Sequence, residues 1–393
     1  MVDVLVIGAG PAGSAAALRL ARAGLRVVIV ERSRFPRIKP CGEYYNPECR
    51  RLLEELGVMA ELEPAAVPIR ALSLRTPGGR ELAVPFCEVT DRGLAFTIGR
   101  EELDNCLATA AIAAGADLWE EATVLEPLVE RGQVAGARVR RNGSVEEVRA
   151  RLTLAADGLR SRFARCLGVG TDDPRRRKLG LTARYELAPD TPQRVEMHAG
   201  GEGCCGLVAR HGTANLGMVV DLSRAREVGG DPARFFHQEL QRYPELRACV
   251  RGEPLSVKTV GPLTWHTRRQ LAPGCLLLGD AAGFYDPFTG QGVTFALQTA
   301  ALAAEVALPA LEAGDLSEDR LAEYSRRRAA LLHPKLRVQQ AIQGVLSHAP
   351  LRDRVLDRLR RRPETARTLV GVVADVLPAS RAFAPPFLAR LLF

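Results

Sequence analysis

The stretch VDVLVIGAGPAGSAAALRLARAGLRVVIVE, residues 2–31, decides how this chain begins to fold. A strand-like run leads directly into Gly8, Gly10 and Gly13, an Ala/Leu-rich segment then predicts a helix, and a second strand-like run ends at Glu31. Glycines at this spacing allow a tight turn, close approach of backbone to a pyrophosphate, and packing of helix on strand. The stretch therefore predicts a dinucleotide site in which Glu31 holds an adenosine ribose, and it leaves FAD and NAD both open.

A second informative stretch is LLLGDAAGFYDPFTGQG, residues 276–292. Its apolar run delivers Gly279 and Asp280 to the end of a predicted strand, and a Pro/Gly-rich turn then leads into a helix near Val293. A carboxylate at a strand end can hold a ribitol or ribose hydroxyl, and the N–H groups at a helix start can hold an anion. A reduced flavin needs both, because it carries a polyol chain and a negative charge on its ring.

A third strand end follows the hairpin predicted around Asn142 and Gly143. The second strand of this hairpin continues to Asp157 and Gly158, a carboxylate placed like Asp280. The sequence thus predicts two carboxylates at strand ends in addition to the glycine-rich turn.

Composition is that of a globular enzyme. The chain is 47% hydrophobic and 25% charged, as is usual for a globular protein. Its length of 393 residues is large for one compact core and suggests two domains. The N-terminus enters the cofactor fold at once, which leaves no room for a signal peptide, and no run of about twenty apolar residues predicts a membrane span. Nine cysteines without paired spacing indicate a reducing, cytoplasmic location, and no Cys/His cluster indicates a metal.

The net charge of +8 is concentrated near the C-terminus. Residues 326–393 carry fourteen Arg or Lys against four Asp or Glu, yet no nucleic-acid-binding pattern accompanies them. Residues 345–359 predict a cationic amphipathic helix. Such a helix suits a membrane surface or an acidic partner, or it docks on the core through its apolar face. The apolar end at 387–393 adds to the first possibility, peripheral association with a membrane.

Over residues 1–310 the motifs resemble the fingerprints of the para-hydroxybenzoate-hydroxylase-type flavoproteins. This superfamily includes aromatic monooxygenases, geranylgeranyl reductases and flavin-dependent halogenases. The resemblance implies an extended FAD, with NAD(P)H as the electron donor. It places these residues at the cofactor: Gly8, Gly10, Ala12, Gly13, Glu31, Arg32, Cys41, Gly42, Arg100, Val124, Asp157, Gly158, Gly279, Asp280, Gly290, Gln291, Gly292 and Val293.

The resemblance also implies roles and an architecture. Val124 meets adenine through its backbone, and Pro287, Gly290 and Gly292 are catalytic candidates because their turn faces the flavin ring. The expected fold class is α/β, a Rossmann-like FAD-binding domain with an inserted β-sheet-rich substrate domain and C-terminal helices. The expected boundaries are 1–70, 98–178 and 262–320 for the FAD domain, 71–97 and 179–261 for the substrate domain, and 321–393 for the helical region.

The segment FPRIKPCGE, residues 35–43, resembles the Lys-x-Cys-Gly segment of the geranylgeranyl reductase branch. There the cysteine lies near the flavin ring, so Cys41 is a further catalytic candidate. The aromatic Tyr-x-Trp-x-Phe-Pro strand of archaeal prenyl reductases has no counterpart at residues 203–209. The halogenase Trp-x-Trp-x-Ile-Pro segment is also missing, since the only tryptophans are Trp119 and Trp265.

The sequence therefore predicts a FAD-dependent oxidoreductase acting on a hydrophobic small molecule or lipid. The missing aromatic strand favours an NAD(P)H-driven monooxygenase that hydroxylates an aromatic or polyketide-type substrate. Cys41 and the basic C-terminal region favour the alternative, a reductase that saturates double bonds of a prenyl chain. A flavin-binding protein without catalytic activity is the third possibility.

Overall fold

The computed structural model describes residues 1–91, 93–173, 178–200, 203–284 and 286–392. Two residues from the stretches above, Tyr285 and Phe393, lie outside the described residues. The strands are β1 Val2–Ile7, β2 Val27–Val30, β3 Tyr44–Tyr45, β4 Val67–Ile69, β5 Ala71–Arg75, β6 Glu81–Pro85, β7 Ala95–Thr97, β8 Asp117–Trp119, β9 Thr123–Glu130, β10 Gln133–Arg141, β11 Ser144–Ala155, β12 Gly170–Asp172, β13 Lys178–Leu187, β14 Val195–Gly200, β15 Gly203–Arg210, β16 Thr213–Asp221, β17 Val250–Val260, β18 Trp265–Thr267, β19 Leu271–Ala272 and β20 Cys275–Leu277.

The α-helices in the described part of the chain are α1 Pro11–Arg22, α2 Pro47–Glu55, α3 Met59–Leu62, α4 Arg100–Ala113, α5 Arg162–Cys166, α6 Ala225–Gly230, α7 Pro232–Leu240, α8 Pro244–Ala248, α9 Gly292–Ala313, α10 Glu318–Ser347, α11 Ala349–Arg361, α12 Pro363–Val373 and α13 Pro385–Leu392. The helices predicted after the glycine-rich turn and near Val293 correspond to α1 and α9.

The first sheet is a mostly parallel sheet in the order β19-β20-β11-β1-β2-β8, and β9 and β10 extend it from β11. Strand β1 lies at its centre, parallel to β2 on one side and β11 on the other. Its continuous apolar run is explained by burial on both faces, as parallel sheets require. Helices α1, α4 and α9 cover one face, where their alanines and leucines form the largest apolar core.

The second sheet has the order β17-β13-β16-β15-β14-β5-β6. One face packs against α7 through Phe235, Phe236 and Leu240, while residues of the opposite face line a large cavity. A mixed α/β fold with a FAD-type domain, a second sheet and C-terminal helices confirms the predicted fold class.

The segment expected at 71–97 does not lie wholly in the second sheet. Its last strand, β7, instead pairs with β3 and β4 in a separate three-stranded sheet. All three side chains of β7 are buried, so packing against distant residues determines which strands β7 pairs with. The local sequence pattern does not reveal this packing.

The prediction of one basic amphipathic helix over 345–359 is wrong in its bounds, because 345–347 belong to α10 and α11 begins at Ala349. The apolar side chains of α11 face inward. Val355, Leu356 and Leu359 are buried against residues of β6 and α12, and Arg80 forms ion pairs with Asp353 at 2.8 Å and with Asp357 at 3.2 Å. The apolar face of α11 therefore packs on the protein core. This is the second of the two arrangements that the sequence left open for the helix.

The expectation that no segment is apolar enough to cross a membrane is wrong for α9. This helix of 22 residues contains a window of mean hydropathy 1.4, so it is long and apolar enough by composition. However, 67% of that window is buried inside the protein, where α9 packs between α1 and α10. Its hydrophobicity is that of a core helix.

Candidate active site

The predicted strand-end residues meet at one edge of the first sheet. Strands β20, β11, β1 and β2 are consecutive parallel neighbours, so their carboxyl ends lie side by side. Gly8 follows β1, Glu31 follows β2, Asp157 follows β11 and Asp280 follows β20. In open α/β sheets, ligands bind in the crevice at this edge. Four strand ends, from three separate stretches of the sequence, thus lie at one edge.

A cavity of about 360 Å³ extends from this edge to the second sheet. Predicted residues that line it are Gly10, Ala12, Cys41, Gly42, Arg100, Gly158, Gly279, Asp280, Pro287, Gly290, Gly292 and Val293. The cofactor motifs and the catalytic candidates therefore share one continuous space, and we call the part bounded by the first sheet its cofactor half.

Several predicted residues lie outside this lining. Glu31 is buried behind the glycine-rich turn, where its carboxylate accepts hydrogen bonds from the N–H groups of Ala9 at 2.9 Å and Ser33 at 3.0 Å. Arg32 is exposed, and Val124 lies in β9 opposite Val139, packed against the second apolar core. None of these three residues is among those that line the cavity.

The N-termini of two helices open into the cavity. The N-cap residues, Gly10 for α1 and Gln291 for α9, form no side-chain capping hydrogen bond, and neither helix has an acidic residue in its first turn. The first N–H groups of both helices therefore keep the partial positive charge that attracts anions. The α1 terminus suits a pyrophosphate, and the α9 terminus suits the anionic ring of a reduced flavin.

A cluster of cations lies between these helix ends. The Arg100 guanidinium binds the Asp104 carboxylate through two hydrogen bonds, at 2.8 and 2.7 Å, and Arg37 pairs with the same carboxylate at 3.0 Å. Burial lowers the pKa of Lys39, and Arg100 lowers it further. Burial also raises the pKa of Asp280, an effect that Lys39 and Arg100 oppose. The cluster would bind a diphosphate favourably, because added negative charge offsets its crowded cations.

Sequence reasoning missed Lys39, Arg37 and Asp104 as site residues. Lys39 carried a signal, since it belongs to the Lys-x-Cys-Gly segment that singled out Cys41. Asp104 gave none, because an acid within a helix, such as α4, usually faces solvent, whereas this side chain is fully buried.

The residues present fit FAD. The Asp157 Oδ1 atom is buried without a hydrogen-bond partner, although Oδ2 accepts from the Phe163 N–H at 3.2 Å. The space beside Gly10 is open, since a Cβ added there would meet only the Arg37 guanidinium, at 3.8 Å. Asp280 and the two helix ends complete the donors and acceptors that a polyol, a pyrophosphate and a flavin ring require.

Asp157→Asn is expected to stabilise the FAD-free protein near neutral pH. Burial raises the pKa of Asp157, so its ionisation opposes folding; this cost is absent below the unfolded pKa of 3.8, grows as pH rises from there to the raised folded pKa, and is constant above it. We therefore expect the variant to be more stable than the unchanged protein at about pH 7.5, by an amount that shrinks as pH falls towards about 4. Urea unfolding of both proteins across this range measures it, and a gain independent of pH would contradict the assignment.

The Cys41 loop rests on the second sheet. The Asn215 side chain of β16 donates to the Cys41 carbonyl at 2.9 Å, and the Cys41 Sγ accepts from the Glu43 N–H at 3.4 Å. Gly42 passes close to Gly217 of the same strand. The thiol is thus held where the cofactor half of the cavity meets the sheet.

Glu43 anchors this loop. It is 3% exposed and adopts a φ of +55°, a strained conformation for a residue with a side chain. Its Oε1 pairs with Arg184 of β13 at 3.0 Å, while Oε2 is buried without a partner. Burial raises the pKa of Glu43, against the opposing effect of Arg184.

Residues 286–292 form the turn that the resemblance predicts to face the flavin ring, and it leads into α9. We call it the flavin-facing turn. Gly290 has a φ of +66°, and a Cβ there would lie 2.6 Å from the ring of Tyr44. Only glycine meets both conditions, the left-handed backbone and the close aromatic neighbour. The turn is therefore packed tightly against the strand that follows the Cys41 loop.

The rest of the cavity, its substrate half, is mostly aliphatic. The second sheet, helices α10 and α12 and the segment after β17 contribute these apolar residues: Leu72, Leu74, Leu82, Leu181, Val195, Met197, Leu207, Val208, Met218, Val219, Val260, Leu263, Leu332, Ile342, Leu369, Val370 and Val373. On β15 and β16, where an aromatic strand was sought in the sequence, the lining residues are Cys204, Gly206, Leu207, Val208, Gly217, Met218 and Val219. This half suits a flexible apolar chain.

A family model for the FAD binding domain matches residues 1–338. The chain belongs to this family of FAD-binding proteins. Its relatives include digeranylgeranylglycerophospholipid reductase 1 of Methanopyrus kandleri, which is 32% identical over 386 residues and covers 95% of this chain and 98% of its own length.

Solved structures of other flavoproteins are similar to this chain. A geranylgeranyl bacteriochlorophyll reductase-like protein from Thermoplasma acidophilum matches with a TM-score of 0.77 and 26% identity, over 91% of both chains. PqsL, a probable FAD-dependent monooxygenase from Pseudomonas aeruginosa, matches with a TM-score of 0.74 and 24% identity, over 90% of this chain and 99% of that one. The second likeness shows the fold alone.

These matches confirm the predicted superfamily and its geranylgeranyl reductase-like branch. The flavoprotein is a FAD-dependent oxidoreductase. FAD as cofactor agrees with the fit described above, whereas NAD(P)H as electron donor stays a prediction.

Proposed function

We propose that this flavoprotein is a prenyl-chain reductase, which adds hydrogen across isolated double bonds of an isoprenoid lipid. The observation that carries the proposal is the aliphatic substrate half, which meets the cofactor half at Cys41. The named activity of the Methanopyrus kandleri relative supports the same choice. Hydroxylation, which the sequence favoured, has less support from the relatives.

The chemistry divides between cofactor and protein. Bound FAD, once reduced, would supply a hydride to one alkene carbon, and a proton would have to reach the other. Cys41 is the candidate proton donor, because its thiol lies at the junction of the two halves. Lys39, Arg100 and Asp280, which line the cavity, would hold the cofactor, together with Asp157, whose buried Oδ1 has no partner.

The substrate half orients the chain and excludes water. Each methylene it buries contributes about 0.8 kcal/mol, so a long prenyl chain binds without any polar contact. Apart from Cys204 and Arg328, the titratable residues that line the cavity belong to the cofactor half or the flavin-facing turn. A hydroxylase for phenols would benefit from a base beside the substrate, and the described lining residues of the second sheet include no carboxylate or histidine.

One observation favours hydroxylation as a second candidate. The lining residues of β15 and β16 include no aromatic side chain, unlike the Tyr-x-Trp-x-Phe-Pro strand of archaeal prenyl reductases. Without aromatic side chains on these two strands, the cavity also suits a flat, hydrophobic ring.

The test compares oxidants for the reduced holoenzyme. After chemical reduction without oxygen, we expect geranylgeranyl phospholipid in detergent to restore the absorbance of oxidised flavin, whereas phenols should not. Substrate-dependent oxygen uptake with phenols, and no reaction with the lipid, would instead establish hydroxylation. If neither substrate affected the flavin, the proposal of a reductase would be wrong.

Replacing Cys41 with alanine is expected to slow this anaerobic reoxidation by roughly 100-fold, the usual contribution of a positioned acid. FAD binding should change little, since the Cys41 carbonyl, which accepts from Asn215, is retained. Stopped-flow absorbance measures the rate, with Cys166→Ser as the control because Cys166 is exposed. Equal rates for C41A and the unchanged enzyme would remove Cys41 from the mechanism.

A further inference from the structure

Gln339 of α10 reaches the flavin-facing turn from the C-terminal region. Its side-chain Nε2 donates to the Thr289 Oγ1 and to the Gln291 Oε1, the latter at 2.9 Å. The three residues are 6%, 7% and 4% exposed, respectively, so these hydrogen bonds are shielded from water. The two acceptors flank Gly290, the point where the turn takes its left-handed conformation.

These hydrogen bonds hold a turn that has few other polar supports. At its start, Asp286 accepts from the Phe288 N–H at 3.0 Å and pairs with Lys178 of β13. At its end, the Gln291 side chain forms no cap on α9 and instead accepts the hydrogen bond from Gln339. The turn is thus held by the second sheet on one side and by α10 on the other.

Gln339 also belongs to the cavity wall. It lines the cavity together with Ile342, one turn further along α10, and with Gly290 and Gly292 of the turn that it contacts. It therefore connects a helix that bounds the substrate half to the N–H groups at the start of α9.

We propose that Gln339 is a positioning residue that fixes the flavin-facing turn and thereby stabilises the reduced flavin. Dipoles stabilise a developing charge only when they are held in place beforehand. With the turn fixed, the N–H groups at the start of α9 stay directed at the ring anion. With Gln339 replaced, the turn loses its buried donor and these groups lose their fixed direction. The proposal concerns the cofactor and does not depend on which substrate is reduced or hydroxylated.

The test is a redox titration of the holoenzyme and the variant Gln339→Leu, which is similar in size but cannot donate. We expect the preference for reduced over oxidised flavin to fall about tenfold, which is about 30 mV for a two-electron couple. The visible spectrum of the bound flavin should change as well. Gln340→Leu is the matched control, because Gln340 is the exposed neighbour on the same helix, and its potential should equal that of the unchanged protein.

The variant Thr289→Val provides a second measurement, which can still be made if Q339L does not bind FAD. It removes one acceptor and should lower the potential in the same direction by a smaller amount. Because the two residues act through one contact, the double variant should lose no more than Q339L alone. Potentials and spectra of Q339L and T289V that match the unchanged holoenzyme would overturn the proposal, as would full additivity.

Discussion

Replacing Gly13 with alanine is expected to remove FAD from the protein. A Cβ at this position would lie 1.9 Å from the Gly8 carbonyl oxygen and 3.2 Å from the Val6 side chain, so α1 must move away from β1. Overpacking of this kind costs about 1–3 kcal/mol of folding stability. The glycine-rich turn and the first N–H groups of α1 move with the helix. We therefore expect FAD affinity to fall by at least roughly 100-fold, about 2.8 kcal/mol.

Titration of the apoprotein with FAD, followed by flavin fluorescence, measures this loss. Gly229→Ala serves as control, since a Cβ there meets nothing within 4 Å and Gly229 does not have a positive φ. A G13A protein that bound FAD as tightly as the control would show that the close contact between α1 and β1 does not shape the site.

Replacing Arg100 with methionine should destabilise the protein by about 3 kcal/mol. Arg100 is 5% exposed and binds the fully buried Asp104 through two hydrogen bonds, so its loss leaves that carboxylate short of one cation. Arg37 still pairs with Asp104 at 3.0 Å, which keeps the cost at the lower end of the range for broken buried pairs. FAD binding should weaken too, because Arg100 lines the cofactor half.

Arg138→Met is the matched control for this ion pair. Arg138 pairs with Glu126 at 3.2 Å, but the two side chains are 49% and 55% exposed, so the change should cost less than about 1 kcal/mol. Urea unfolding of the two variants gives the comparison. If R100M were no less stable than R138M, the cluster around Asp104 would not contribute to holding the cofactor half together.

The sequence was sufficient to predict the cofactor edge because each part of it has a local signature. Strand-like runs ended at Gly8, Glu31, Asp157 and Asp280, and parallel strands bring their carboxyl ends to one edge. The fold class was implied by the family resemblance that these motifs carry, and the structure confirms it. No knowledge of distant contacts was needed for these parts.

Other parts depend on contacts between distant segments. Gln339 is one of two consecutive glutamines on α10, and only the packing of that helix against the flavin-facing turn separates its role from that of exposed Gln340. Asp104 resembles any acid of a surface helix until Arg100 and Arg37 are seen around it. The aliphatic character of the substrate half likewise arises from the second sheet and helices α10 and α12 together. No single strand is therefore sufficient to predict it.

The proposed reductase activity requires that a carbon–carbon double bond oxidises the reduced flavin. A single turnover without oxygen tests this, in which reduced holoenzyme is mixed with geranylgeranyl phospholipid and the mass of the lipid is measured by mass spectrometry. We expect one double bond to be saturated, a gain of two hydrogen atoms, for each flavin that returns to the oxidised state. Lipid of unchanged mass beside a flavin that stays reduced until oxygen is admitted would contradict it.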